Sequence, residues 1–248
     1  MKQDQEYAID YFSYGHPLIG LKSRISFRAR KKIFHVFCDM IPLSPRNKVI
    51  DIGITPDQSL PESNYFERLY PYKDRITATS IEDAANIEEA FQGVKFIQTV
   101  PEEAFPFEDD SFDVLFCSAV LEHVGSSEQQ TQFLVECLRI AKEVFITTPN
   151  RGFPIEMHTF LPFIHWLPDN VFRSVLRFFR KDFWADVKNL NLLDRKALEN
   201  LLLALSKYFT FDYSIQFLKT AFFKSNILLY IKKKPEKDIH PDAQYDKR

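Results

Sequence analysis

Apolar residues recur at helical spacing between Arg24 and Ile41, where Ile33, Phe34, Phe37, Cys38 and Ile41 share one side. This spacing predicts an amphipathic helix, ended by Pro42 and Pro45. The run "KVIDIG" then predicts a first buried strand, and Ser63 to Leu69 a short helix after an irregular loop. "RITATS", "VKFIQ" and "FDVLFCS" read as second, third and fourth strands, with a helical piece from Ala84 to Phe91 between the second and third. The fourth run is almost wholly apolar, as a central parallel strand covered on both faces must be. Ser127 with Gln130 three residues on predicts a capping box for the next helix, with Phe133, Leu134, Cys137 and Leu138 facing inward. "EVFITT" is a fifth strand.

Beyond Pro149 the pattern loosens into "NRGFPIEMHTFLPFIHWLP", followed by a basic amphipathic segment from Asn170 to Lys181. Asp194 is placed to cap a leucine-rich helix reaching Leu205. "FTFDYSIQFL" and "NILLYIKKK" are close enough to pair as a hairpin. Strands alternating with helices predict the α/β class, with a mostly parallel sheet and helices on both faces. One domain is expected over residues 1–234, with a helical cap at 1–47 and an insertion at 151–193. The charged residues 235–248 are expected to be disordered.

A chain of 248 residues can build a full core, and a net charge of −2 gives no reason to expect nucleic acid as a partner. Cys38, Cys117 and Cys137 sit in apolar runs, which suits free thiols in a reducing, cytoplasmic setting better than a disulfide framework. The start "MKQDQEYAIDYFSYGH" has no apolar core, and no run of about eighteen uncharged apolar residues occurs, so neither secretion nor membrane spanning is expected. Local charge is less even. "LKSRISFRARKK" carries cations without an acid, and its apolar side is expected to pack on the sheet. Arg173, Arg177 and Arg180 lie beside a stripe of Phe172, Val175, Leu176 and Phe179. That segment, 171–181, leaves two readings open: packing on the protein, or peripheral contact with an anionic membrane.

From Phe105 to Asn150 an acid-rich turn "FPFEDDSFD", a strand running into "SAVLEH", a helix and "ITTPN" follow one another. Apolar strands that break into polar residues at their carboxyl ends are how open α/β sheets build a ligand crevice. These elements resemble the second half of class I S-adenosylmethionine-dependent methyltransferases, and the resemblance extends well over residues 48–150. It implies a Rossmann-like fold, a seven-stranded sheet closed by an antiparallel hairpin, S-adenosylmethionine as cofactor, and an insertion on the substrate side.

The resemblance also implies a set of cofactor residues. In "DIGITPD", Asp51 and Gly53 match the family's leading acid and first glycine, while Thr55 and Asp57 stand where further glycines usually fall, so the loop is bulkier. Ser80 occupies the register of the ribose-binding acid, and Glu82 is the side chain expected to take over that role, with Asp83 as its neighbour. Glu102, with Glu103 beside it, offers an acid for the adenine, and Ser118 ends the fourth strand at the crevice.

Methyl transfer is an in-line displacement, helped by alignment, exclusion of water and, for a hydroxyl acceptor, a nearby base. His123 follows the fourth strand, while His158 and His165 lie with Glu156 in the insertion; His123 and His158 are the candidate catalytic pair. Glu156-x-His158 with a distant histidine could also suggest a metal, but the spacing fixes no facial arrangement and none is expected. Phe163 and Trp166 are expected to line a pocket or core. The acceptor expected is a small-molecule, lipid or glycan intermediate, since no "NPPY"-like element for a flipped base is present. One rival reading is a catalytically silent binding partner on the same fold, which the missing glycines permit. The other, a nicotinamide-dependent oxidoreductase, lacks a G-x-G-x-x-G element.

Overall fold

The computed structural model describes residues 19–220 and 222–235; the amino-terminal stretch and charged tail read above fall otherwise outside the described residues. The apolar run Phe112–Ser118 is a strand, β4, lying between β1 (Val49–Ile52) and β5 (Ala141–Pro149). Beyond β1 come β2 (Ile76–Ser80) and β3 (Lys95–Gln98), all parallel, so the carboxyl ends of these strands open on one edge. A hairpin of β6 (Phe211–Thr220) and β7 (Phe223–Lys233) runs antiparallel beside β5. The order is β3-β2-β1-β4-β5-β7-β6 in one seven-stranded sheet, which agrees with the expected class.

Alternation along the strands sends side chains to two apolar layers. Leu115, Cys117, Val144 and Ile146 face helices α4 (Ser127–Ile140) and α7 (Arg195–Leu205). Val114, Phe116 and Phe145 face α1 (Ile19–Met40), α2 (Tyr65–Leu69) and α3 (Ile87–Ala90). On that second face Phe37 sets its edge against Phe66, Phe116 and Phe145 at 5.3, 5.4 and 5.4 Å between ring centroids. Phe66 stacks on Phe116 at 4.2 Å. Since Phe116 and Phe145 are register partners on neighbouring strands, α1 and α2 are keyed to one position on the sheet. Asp51 has the same parity as Val49, so its carboxyl turns to this aromatic face.

The insertion builds a third apolar cluster from Phe172, Leu176, Trp184, Ala185 and Leu190, using α5 (Asp169–Phe178) and α6 (Asp182–Ala185). Four sequence expectations are corrected around it and around α4. The capping box is Ser126 with Gln129, one residue earlier than expected. Gln130 is instead buried and donates its amide to the carbonyls of Leu121 and Asn191. Arg173 is not displayed with its neighbours: it is buried and donates to Asp169 and to the carbonyls of Ala185 and Leu190. Phe179 leaves the packed stripe and is half exposed. Phe163 and Trp166 are likewise at the surface, 54% and 51% exposed.

The aromatic key and the cap predict different losses. Phe116→Ala should cost about 3–5 kcal/mol in urea unfolding, whereas Ser126→Ala should cost about 1 kcal/mol.

Candidate active site

Strand β1 ends at Asp51 and Ile52, and the chain turns at Gly53, whose φ of 93° favours glycine. The N–H groups of Gly53 and Ile54 both donate to the Thr79 carbonyl, at 2.9 and 3.1 Å. A Cβ on Gly53 would sit 2.1 Å from Val120 Cγ2. Val120 reaches that place because the chain leaves β4 through Ala119, held at φ 58° with its N–H donating to Thr147. Where the family has further glycines, side chains hold the loop. Asn64, itself left-handed at φ 47°, accepts from the Thr55 N–H at 2.9 Å and donates to the Thr55 carbonyl at 2.7 Å. Thr55 and Asp57 in turn accept from the N–H groups of Asp57 and Ser59.

Two buried acids meet beneath this loop. Asp51 is 6% exposed and Glu67, from α2, is fully buried. Burial first, and then the Glu67 carboxyl, push the Asp51 pKa well above the carboxylate range, against the pull of Arg30. Burial raises Glu67 as well. Arg30 is fixed by donating to the Glu62 carbonyl and by lying over the Tyr65 ring at 5.1 Å. Tyr65 donates to Ser118, whose hydroxyl also pairs with Thr147 at 3.1 Å. Arg30, Asn64, Tyr65 and Glu67 carry no sequence signal of this role, because each meets the crevice through tertiary contact.

At the next strand end Ser80 is buried, and its hydroxyl accepts from the Glu82 N–H at 3.2 Å. Glu82 is half-buried, which raises its pKa. Glu102 is exposed, left-handed at φ 64°, and accepts from Gln129 at 2.9 Å, so it is tied to the start of α4.

The histidines separate into two kinds. His165 is buried with Nε2 at 2.6 Å from the Phe153 carbonyl, a structural placement. His123 and His158 instead stand edge to face at 4.8 Å, walled by Trp184. His123 Nδ1 lies 2.7 Å from the Asn189 carbonyl, and His158 Nδ1 lies 2.6 Å from Glu156 Oε1. Burial, then the neighbouring His158, lower the His123 pKa to about 3, so it is neutral near pH 7. Glu122, fully buried, accepts from Thr148 at 2.9 Å.

Residues 62–144 match the family model described as "Methyltransferase domain". The matched stretch is about a third of the chain, and the seven-stranded sheet around it has the Rossmann-like fold of class I methyltransferases. Among solved structures, the chain shares its fold with YcgJ of Bacillus subtilis at 12% identity, covering 84% of this chain and 100% of that one, with a TM-score of 0.53. PH0226 of Pyrococcus horikoshii is 14% identical over 84% of this chain and 91% of its own, also at 0.53. A Thermotoga maritima S-adenosylmethionine-dependent methyltransferase, described as a possible histamine N-methyltransferase, is 17% identical over 88% of this chain and 97% of its own, at 0.50. No curated protein matches the sequence.

Polar atoms around the Gly53 turn are left for a ligand to meet. Asp57 Oδ2, Gln58 Oε1 and Ser63 Oγ are buried without a hydrogen-bond partner among the described residues. Such unpaired groups are costly unless a ligand with donors meets them.

Two measurements follow from the loop. Gly53→Ala should destabilise by roughly 2 kcal/mol, of which Val120→Ala in the same chain returns only the steric part. The raised Asp51 pKa means that the folded chain keeps a proton the unfolded chain releases, so stability falls as pH rises above the ordinary carboxylate range. Glu67→Gln should flatten that fall in urea midpoints taken from pH 4 to 8.

Proposed function

We propose that this methyltransferase methylates a hydroxyl oxygen of a small-molecule, lipid or glycan acceptor. One observation carries the reading: Val120 packs on Gly53, so the Glu122, His123 and His158 cluster stands beside the cofactor loop. Arg30 supports the same view, since it acts electrostatically on both Asp51 and Glu122. S-adenosylmethionine supplies an activated methyl group on a sulfonium. Asp51 and the Gly53 to Asp57 loop hold its amino acid and ribose portions, with Ser80 and Glu82 taking the ribose edge and Ser118 the crevice wall. Glu102 serves the adenine side through the start of α4. Trp184 and the buried ends of β4 and β5 keep water from the reacting oxygen, His123 helps to align that oxygen, and His158 takes up its proton.

Asp51→Ala should abolish cofactor binding by calorimetry. His158→Ala should leave that affinity unchanged and lower kcat by about a hundredfold or more. If neither variant alters methylation of any hydroxyl acceptor the wild type accepts, the reading fails.

We also propose a cytoplasmic protein that meets anionic membranes through the insertion. Phe178 is 82% exposed, Phe179 and Phe183 are exposed beside it, and Arg177, Arg180 and Lys181 are at the surface. No helix among the described residues is long and apolar enough to cross a membrane, so any contact is interfacial. Sedimentation with vesicles containing phosphatidylserine should exceed that with neutral vesicles, and Phe178→Ser with Arg180→Glu should remove the difference. Equal sedimentation with both vesicles refutes the contact.

A further inference from the structure

The carboxyl edge of the sheet carries an aromatic surface that the core leaves uncovered. Strand β5 ends at Pro149, whose register partner Asn226 stands near the start of β7, so the hairpin end lies on the edge where the crevice opens. There Phe222 is 95% exposed, and Phe223 is exposed beside it. Phe223 meets Phe153 of the insertion edge to face at 6.4 Å. Asn150 braces the junction, donating its N–H to the Ser225 carbonyl and its Nδ2 to the Lys224 carbonyl. From Phe153 the surface continues through Ile155 to Phe163 and Trp166, whose rings stand 4.9 Å apart.

Two features show that this display is built in. Phe163 is held left-handed at φ 61°, its N–H donating to the Pro154 carbonyl, so the fold accepts strain in a bulky residue whose ring stays outside the core. Trp166 satisfies its indole N–H on the Arg151 carbonyl at 3.1 Å and leaves its ring exposed. The charges around these rings have one sign. Lys219 and Lys224, register partners on the hairpin, are exposed, and the half-buried Arg151 donates to the carbonyls of His165 and Leu167 rather than to an acid. Within residues 144–168 and 213–235 the one acid is Glu156, which is buried. Contiguous aromatic rings flanked only by cations complement the interface of an anionic bilayer, where rings reach the acyl boundary and cations meet phosphates.

We propose that this edge docks on an anionic bilayer and turns the crevice toward it, so that the acceptor is a membrane lipid. Docking stands on this surface alone, which shares no aromatic residue with the Phe178 patch. The choice of acceptor rests on the methyl-transfer reading.

Of the two tryptophans, Trp166 lies on this edge and Trp184 is buried. Phosphatidylcholine vesicles containing phosphatidylglycerol, with brominated acyl chains, should quench the emission of the full chain, and brominated phosphatidylcholine alone should not. Trp166→Phe should remove the quenching. Phe222→Ser should weaken vesicle binding about tenfold, and Lys219→Glu and Lys224→Glu about fivefold each, with affinity for S-adenosylmethionine unchanged. If anionic vesicles bind without quenching, or quenching survives Trp166→Phe, docking through this edge is overturned. Self-association without vesicles that Phe222→Ser abolishes gives the surface to a second copy and overturns it too. With tritiated S-adenosylmethionine and membranes of the source cells, label should enter the chloroform phase, more slowly for Phe222→Ser; its absence there overturns the lipid acceptor. Calorimetry with S-adenosylmethionine separates the claims: quenching without cofactor binding supports the docking while refuting the transferase reading, and cofactor binding without quenching does the reverse.

Discussion

The left-handed exit of β4 at Ala119 is the constraint on which the crevice depends. A non-glycine residue at φ 58° is held there by the bond from its N–H to Thr147, the register partner of Ser118 on β5. That turn throws Val120 onto Gly53 and brings Leu121–His123 over the sheet edge. The turn is then locked from outside. Asn191 donates its N–H to the Glu122 carbonyl at 2.7 Å, Gln130 binds the Leu121 carbonyl, and Asn189 takes His123. One short segment therefore joins the Gly53 turn, the start of α4 and the insertion.

The apolar layers make this arrangement tolerable. The aromatic key of Phe37, Phe66, Phe116 and Phe145 fixes α1 and α2 over β4, and with them Arg30, Asn64, Tyr65 and Glu67. None of those four polar residues could hold its place through surface hydrogen bonds alone, because solvent competes for every one of them. Burial in a rigid frame lets Asp51 and Glu67 persist side by side despite raised pKa values, a local destabilisation of the sort that binding sites retain.

The parts legible in the sequence are those set by local pattern. The bounds of β4 coincide with its apolar run, Asp194 caps α7 by accepting from Ala197, and the closing strands pair as a hairpin. The capping box shifted by one because "SSEQQ" offers two serines and two glutamines, and only Ser126 has the extended backbone of a cap. Amphipathic reasoning turned Arg173 outward with its neighbours, yet its guanidinium finds two buried carbonyls, besides Asp169 one turn back, that the linear pattern does not reveal. The clamp of Asn64 on Thr55 spans nine residues and replaces glycines with a side-chain amide, a substitution visible only once the loop closes.

The same reasoning explains why His123 and His158 differ although sequence treats them alike. His123 belongs to the rigid turn after β4, is largely buried, and cannot carry a proton near pH 7. His158 comes from the insertion and is oriented by Glu156, whose second oxygen is held by Thr159. An imidazole supplied by the turn after β4 and one supplied by the insertion form one cluster only when the insertion is docked. Docking runs through Asn189 and Asn191, which bond His123, the Glu122 and Gly125 carbonyls and Gln130, while Arg173 ties the insertion together from within. The chemistry of the crevice is thereby coupled to the packing of residues 151–193, which also present the exposed aromatic and basic surface.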